Sequence, residues 1–182
     1  MNQAVSEIKV FLASSSELEL ERAHVGDLFN DINSLLVDTE VRVRLLKWEI
    51  FDPAFRGERK QSEYDQQVKK ADVFIALFRS KAGMFTMEEV DTAKLAHEQN
   101  QKPEKLYCLI QDYQKKREFD LGKLKAELGR DFSFDSFADI IELKLKLIKL
   151  IEPYLSKYGV NITETDKFIK ISSENIPRKS KK

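Results

Sequence analysis

The chain has 182 residues, enough for one domain with a real hydrophobic core and no need of disulfides or a structural metal. Lys+Arg and Asp+Glu both number 31, so the formal net charge is zero and no global field draws the protein to nucleic acid or to an acidic membrane surface. The single cysteine, Cys108, lies in the apolar run 106–110; one buried thiol makes neither an intramolecular bridge nor a metal site, and a reducing, cytoplasmic setting is expected. The N-terminus has no basic flank leading into a long apolar stretch, and no apolar run approaches a membrane span.

Residues 8–13 are apolar with β-branched members, which predicts a strand covered on both faces and ending at Ser14, Ser15 and Ser16. Ser16 is then expected to open a helix through a capping box with Glu19, while Glu17, Glu19 and Glu21 suit the positive helix start. Leu18, Val25, Leu28, Phe29, Ile32 and Leu36 recur at helical spacing and predict one buried stripe. Residues 41–51 alternate at first and grow more apolar toward Trp48 and Ile50, a second strand. A loop over 52–60 and a polar, exposed helix over 61–70 follow. Residues 72–78 are near-continuously apolar, as in a central parallel strand. After a turn at 79–83, Thr86 is placed to cap a helix running to Asn100, with Val90, Ala93 and His97 as its packing stripe. Pro103 ends that segment, and 106–110 makes a fourth strand.

This β-α-β-α-β-α-β order favours a parallel sheet with helices on both faces. Further on, a helix is expected around 121–128, a short edge strand at 131–134, and a helix over 137–155, preferred on length over the strand-like alternation at 141–147, with Pro153 kinking its last turn. A short added strand is expected at 168–171 and a disordered tail over 177–182. The fold class is α/β, an open, mostly parallel sheet of about five strands of the flavodoxin-like kind. Residues 1–158 form the domain and 159–182 a C-terminal extension, partly disordered.

In such a sheet the ligand crevice lies beyond the carboxyl ends of the strands, so the loops after Ser14, Phe51, Arg79 and Gln111 come first. Ser14 and Ser15 offer hydroxyls and helix-start amides to a phosphate or ribose, and helix capping is the ordinary alternative. Arg56 and Arg59 flank Gly57 in a loop able to meet a phosphate, although a solvated charged loop fits equally. Trp48 and Phe55 are near enough to stack on a base, while Trp48 on a strand is more often core. Glu88 and Glu89 sit in the first turn of the helix after the central strand, where the macrodipole alone would favour them. The chain holds no GxGxxG after the first strand, no GxxxxGK[ST], no HExxH and no GxSxG. His24 and His97 are far apart in sequence, which disfavours a metal site.

Three segments taken together, KVFLASSSELELER, WEIFDPAFRGERKQSEYDQQVKKADVFIALF and GMFTMEEVDTA, resemble the bacterial Toll/interleukin-1 receptor-like domains found at the N-terminus of large defence NTPases. The resemblance covers residues 8–100, and the later strands match by order only. It implies a TIR-like domain in which a glutamate followed by an aliphatic residue is catalytic; Glu89-Val90 fits that pattern better than Glu88-Glu89. It further implies that Ser14 and Ser15 line the nucleotide and that the loop around Arg56 helps binding and assembly. The Trp-Cys pair that precedes the glutamate in eukaryotic receptors is absent.

The activity implied is NAD+ hydrolysis at the nicotinamide–ribose bond by an effector of anti-phage defence, active after self-assembly into a homo-oligomer and in company with a larger NTPase or sensor region. NAD+ enters as substrate; no other cofactor and no metal is expected. A non-catalytic assembly module of the same fold and a nucleoside deoxyribosyltransferase-like enzyme are the alternatives.

Overall fold

The computed structural model describes residues 5–47, 65–100, 102–112, 117–164 and 169–173. Five parallel strands, β1 (Ser6–Ser14), β2 (Val41–Leu46), β3 (Val73–Phe78), β4 (Lys105–Gln111) and β5 (Phe132–Phe137), form one sheet in the order β2-β1-β3-β4-β5. Helices α1 (Glu19–Leu35), α2 (Met84–Asn100), α3 (Leu121–Leu128) and α4 (Ile140–Ser156) connect and cover it, and residues 65–70 are also helical. This is the expected α/β architecture. Among the described residues no helix is long and apolar enough to cross a membrane.

Alternate strand residues supply two cores, because successive side chains leave a strand on opposite faces. Val10, Leu12, Ile75 and Leu77 pack with Val25, Phe29 and Ile32 of α1 and with Leu143, Leu147 and Ile151 of α4. Phe11, Phe74, Ala76 and Phe78 pack on the other face with Val90 and Ala93 of α2, Leu124 and Leu128 of α3, and Val68. Strand β3 is buried along its whole length, which is why 72–78 reads as an unbroken apolar run.

Several local expectations are corrected. Ser16 makes no capping box: the chain enters α1 through a 3-10 turn, Ser16–Leu18, with Leu18 N–H donating to the Ser15 carbonyl at 3.1 Å, and neither helical turn has a side-chain cap. Thr86 does not cap α2, which already starts at Met84, and Met87 N–H donates to the Gly83 carbonyl at 3.0 Å. The edge strand β5 runs to Phe137, and the last long helix starts at Ile140 because Asp139 caps it. The Asp139 side chain accepts from Glu142 N–H at 2.9 Å while the Glu142 carboxylate accepts from Ala138 N–H at 2.8 Å, a reciprocal pair of the capping-box kind. Pro153 lies on the exposed side inside α4. The added strand, β7 (Ile169–Ser173), pairs antiparallel with β6 (Val160–Glu164), a strand with no expectation behind it. The expected tail at 177–182 lies outside the described residues.

Candidate functional site

β1 sends its chain through α1 on one face to β2, whereas β3 continues through α2 on the other face to β4. The strand order therefore reverses between β1 and β3, and the carboxyl ends of two such strands are where open α/β sheets generally bind ligands. Ser14 ends β1 and stands opposite Leu77 of β3. The loop 79–83 follows β3 and leads into α2.

These segments meet closely. A Cβ placed on Gly83 would lie 3.6 Å from Ser15 Cβ and 3.5 Å from Thr86 Oγ1, so a bare glycine sits where the β1 exit and the start of α2 converge. Ser14, Ser15, Thr86 and Glu89 are all buried. Thr86 and Glu89 are three residues apart and share one side of α2. Glu89 is 9% exposed and Glu88 is exposed, so of the two adjacent carboxylates only Glu89 is enclosed by the fold.

Ser14 and Ser15 are held by a residue with no expectation behind it. The Arg22 guanidinium, 2% exposed, donates through Nη1 to Ser14 Oγ at 2.9 Å and to the Ser15 carbonyl at 2.7 Å. Ser14 Oγ thus accepts from Arg22, and its own proton remains for another acceptor. Ser15 Oγ donates to Glu17 Oε1 at 3.1 Å, so its proton is directed within the protein. The signal for Arg22 and Glu21 was present in the α1 pattern: the stripe from Leu18 to Val25 has a gap, and that gap falls on two charged residues which the fold buries.

Glu17 ties the exit of β1 to the exit of β3. Its carboxylate accepts from Ser80 N–H at 2.9 Å, from Lys81 N–H at 3.1 Å and from the Ser80 hydroxyl. Burial raises the Glu17 pKa, but the hydrogen bonds from Ser80, Lys81 and Ser15 outweigh it and hold the carboxyl below its ordinary value. Arg79 adds a second tie, donating to the Glu17 carbonyl at 3.0 Å and to the side chains of Glu21 and Gln111. Arg117 extends it to β4, donating to the carbonyls of Arg79 and Gln111, each at 3.1 Å. The remaining oxygen of Glu21, Oε2, is buried without a hydrogen-bond partner among the described residues.

The structure thus groups Ser14 and Ser15 with Arg22 and Glu17 and sets Gly83 against Ser15 and Thr86, with Glu89 buried one turn beyond Thr86 on α2. Trp48 and Arg56 lie outside the described residues. Cys108 is buried in the sheet, where burial pushes its thiol up to about 12, so it is neutral and chemically inert at neutral pH. No family model matches the chain, and no curated protein matches it in sequence. Among solved structures it is similar to the Clostridium botulinum CMP N-glycosidase BcmB, with 17% identity over 76% of this chain and 97% of that one and a TM-score of 0.46.

Proposed function

We propose that the chain hydrolyses the N-glycosidic bond of a nucleotide, with NAD+ as the first substrate to try and Glu89 as the carboxylate at the reacting centre. One observation carries the reading: a buried glutamate on the helix that follows the central strand, on the side that carries Thr86, where the loop leading into the helix meets Ser15 and the strand order reverses. The TIR-like resemblance of segments including residues 9–22 and 83–93 supports NAD+ as the nucleotide. The effector role in anti-phage defence, self-assembly and a larger NTPase or sensor region belong to the proposal on that resemblance alone.

Cleaving the nicotinamide–ribose bond needs little acid help. The C–N electron pair leaves with nicotinamide and neutralises its pyridinium, while positive charge develops on the ribose as in glycoside hydrolysis. Water oxygen then bonds to the anomeric carbon and gives up a proton, leaving ADP-ribose. Glu89 stabilises the cationic ribose or orients its hydroxyls, an effect worth several kcal/mol where water is excluded. Ser14 offers its hydroxyl proton to a ribose or phosphate oxygen. Assembly of several copies over the crevice would supply the exclusion of water.

The experiment is incubation of the purified chain with NAD+, read as nicotinamide release, with CMP, the substrate named for BcmB, run beside it. Glu89→Gln keeps shape and removes charge, and is expected to lower turnover by about a hundredfold or more. Glu88→Gln, at an exposed position, is expected to stay within a fewfold of the parent. Full activity in Glu89→Gln removes the assignment, and loss confined to Glu88→Gln moves it by one residue. Transfer of the ribosyl group to an added free base would favour the deoxyribosyltransferase-like alternative, and silence of the assembled protein the non-catalytic module.

A further inference from the structure

The two edges of the sheet are finished differently. β2 carries its own cover, since the Asn33 amide donates to the Val43 carbonyl at 2.8 Å and accepts from Val43 N–H at 2.9 Å. β5 is the opposite edge. Asp112 N–H donates to the Phe137 carbonyl at 2.8 Å, so Phe137 turns its backbone groups toward β4. Those groups alternate along a strand: Asp135 and Ser133 also face β4, whereas Phe132, Phe134 and Ser136 face outward. Among the described residues nothing hydrogen-bonds to the outward groups of Phe132 and Phe134, and Ser136 N–H reaches only the carboxylate of Asp135 beside it, at 2.8 Å. The strand, FSFDSF, has neither proline nor lysine to blunt this edge.

We propose that β5 pairs antiparallel with β5 of a second copy of this chain, about a two-fold axis through Phe134. The proposal is independent of the hydrolase reading: the carboxyl edges of the two sheets point in opposite directions, so this contact is not the one that would close the site. A two-fold perpendicular to the sheet keeps every side chain on its own face, and the axis must then fall on a residue. On Phe134 it makes that outward-facing residue a hydrogen-bonded pair with its copy, sets Phe132 opposite Ser136, and sets Ser133 opposite Asp135. Ser133 and Asp135 are both exposed and occupy the closer, non-hydrogen-bonded positions, about 4.5 Å between Cα atoms, where a hydroxyl donates to a carboxylate. Lys146 Nζ, 2.6 Å from Asp135 Oδ2, leaves Oδ1 to that hydroxyl once Ser136 N–H turns to the Phe132 carbonyl of the second copy. The neighbouring axes are disfavoured by charge: on Asp135 the two carboxylates face one another, and on Ser133 Asp135 faces Asp131. The half-buried Phe134 rings add an aromatic pair across the strands. A foreign strand needs the same complement, a hydroxyl against Asp135 and an aromatic ring against Phe134, and β5 supplies both to itself.

The test is sedimentation velocity of the full chain from low micromolar to submillimolar concentration, with hydrogen exchange read at both ends of the series. The chain is expected to pass from monomer to dimer, and the amides of Phe132 and Phe134 to become protected as it does, while Ser133 and Asp135 exchange alike at both ends. Ser133→Asp sets like charges opposite one another twice in each dimer and is expected to weaken it by about tenfold, whereas Ser133→Lys sets opposite charges there and dimerises as well or better. Ser133 is exposed, so both variants are expected to melt like the parent at the dilute end. A chain that stays monomeric throughout overturns the pairing and leaves the edge to water or to another protein's strand. A dimer with unchanged exchange at Phe134, parental dimerisation in Ser133→Asp, or equal weakening in Ser133→Asp and Ser133→Lys overturns it as well. Nicotinamide release has no part in this test, so its outcome and that of the hydrolase reading are separate.

Discussion

Glu17 illustrates how one side chain joins the exits of two strands. It was expected only to complement the helix dipole, yet its two oxygens collect the N–H groups of Ser80 and Lys81 and the hydroxyls of Ser15 and Ser80. The loop it holds leads directly into Thr86 and Glu89, so Glu17 is a positioning residue. Glu17→Ala leaves two backbone donors without their acceptor and is expected to cost about 1–2 kcal/mol in urea unfolding, toward the lower end because the carboxylate still meets water. Glu17→Gln keeps an oxygen for the two amides and a donor for the Ser80 hydroxyl, and is expected to retain most of the stability at neutral pH. An alanine variant as stable as the parent would show that water replaces the carboxylate without loss. Glu89 is the complementary case, since its enclosure beside exposed Glu88 follows from the rotation of about 100° per residue once α2 is seated on the sheet.

At the scale of elements, β2 is an edge strand whose outward backbone groups are covered by its own chain. The Asn33 side chain on α1 donates to the Val43 carbonyl at 2.8 Å and accepts from Val43 N–H at 2.9 Å, so one amide occupies the place of a neighbouring strand. Thr39 Oγ1 and Arg42 donate to the Val41 carbonyl at 3.2 and 2.8 Å and extend the cover. Asn33→Ala is expected to cost about 1–2 kcal/mol and to raise light scattering at high protein concentration, because the uncovered groups can then pair with another chain. A variant that melts like the parent and stays monodisperse would show that water satisfies this edge. Much of this level was legible in advance: the central strand, the helix at Leu121–Leu128 and the long helix before Ser156 each carry their own hydrophobic period or length. β6 was not, because VNITE is short and mostly polar and becomes a strand only through pairing with β7 and the packing of Val160, Ile162 and Ile171 on the core beside α4. The start of α4 was misplaced because Phe137 and the helix share apolar character, and the Asp139 cap marks the break.

Across the described residues of the molecule, the carboxyl groups with a clear shift, Glu17 and Asp135, both move down. Glu17 lies below its ordinary value for the reasons above, and Asp135 does so chiefly through the hydrogen bond from Lys146, which outweighs the opposing effect of burial. A carboxyl whose folded pKa is depressed contributes its full stability above the ordinary carboxylate range and loses it as pH falls through the folded value. Melting temperature is therefore expected to fall from neutral pH toward about pH 3, with a smaller fall in Glu17→Gln; parallel curves for the two proteins would show that Glu17 has no part in it. Lys102, raised chiefly by its hydrogen bond to Asp72, contributes stability that is lost only as pH rises through its folded value, and its exposure makes that limb shallow. The sequence alone determined the alternation of strands and helices, the two-sided burial of β3 and the candidate loops, because hydrophobic period and chain order are local properties. Only the tertiary structure decided the strand order, the burial of Arg22 and Glu21, the enclosure of Glu89 rather than Glu88, and the joining of Glu17 to Ser80 across 63 residues of chain. Those depend on which faces and loop ends meet in space, and neither periodicity nor spacing records such meetings.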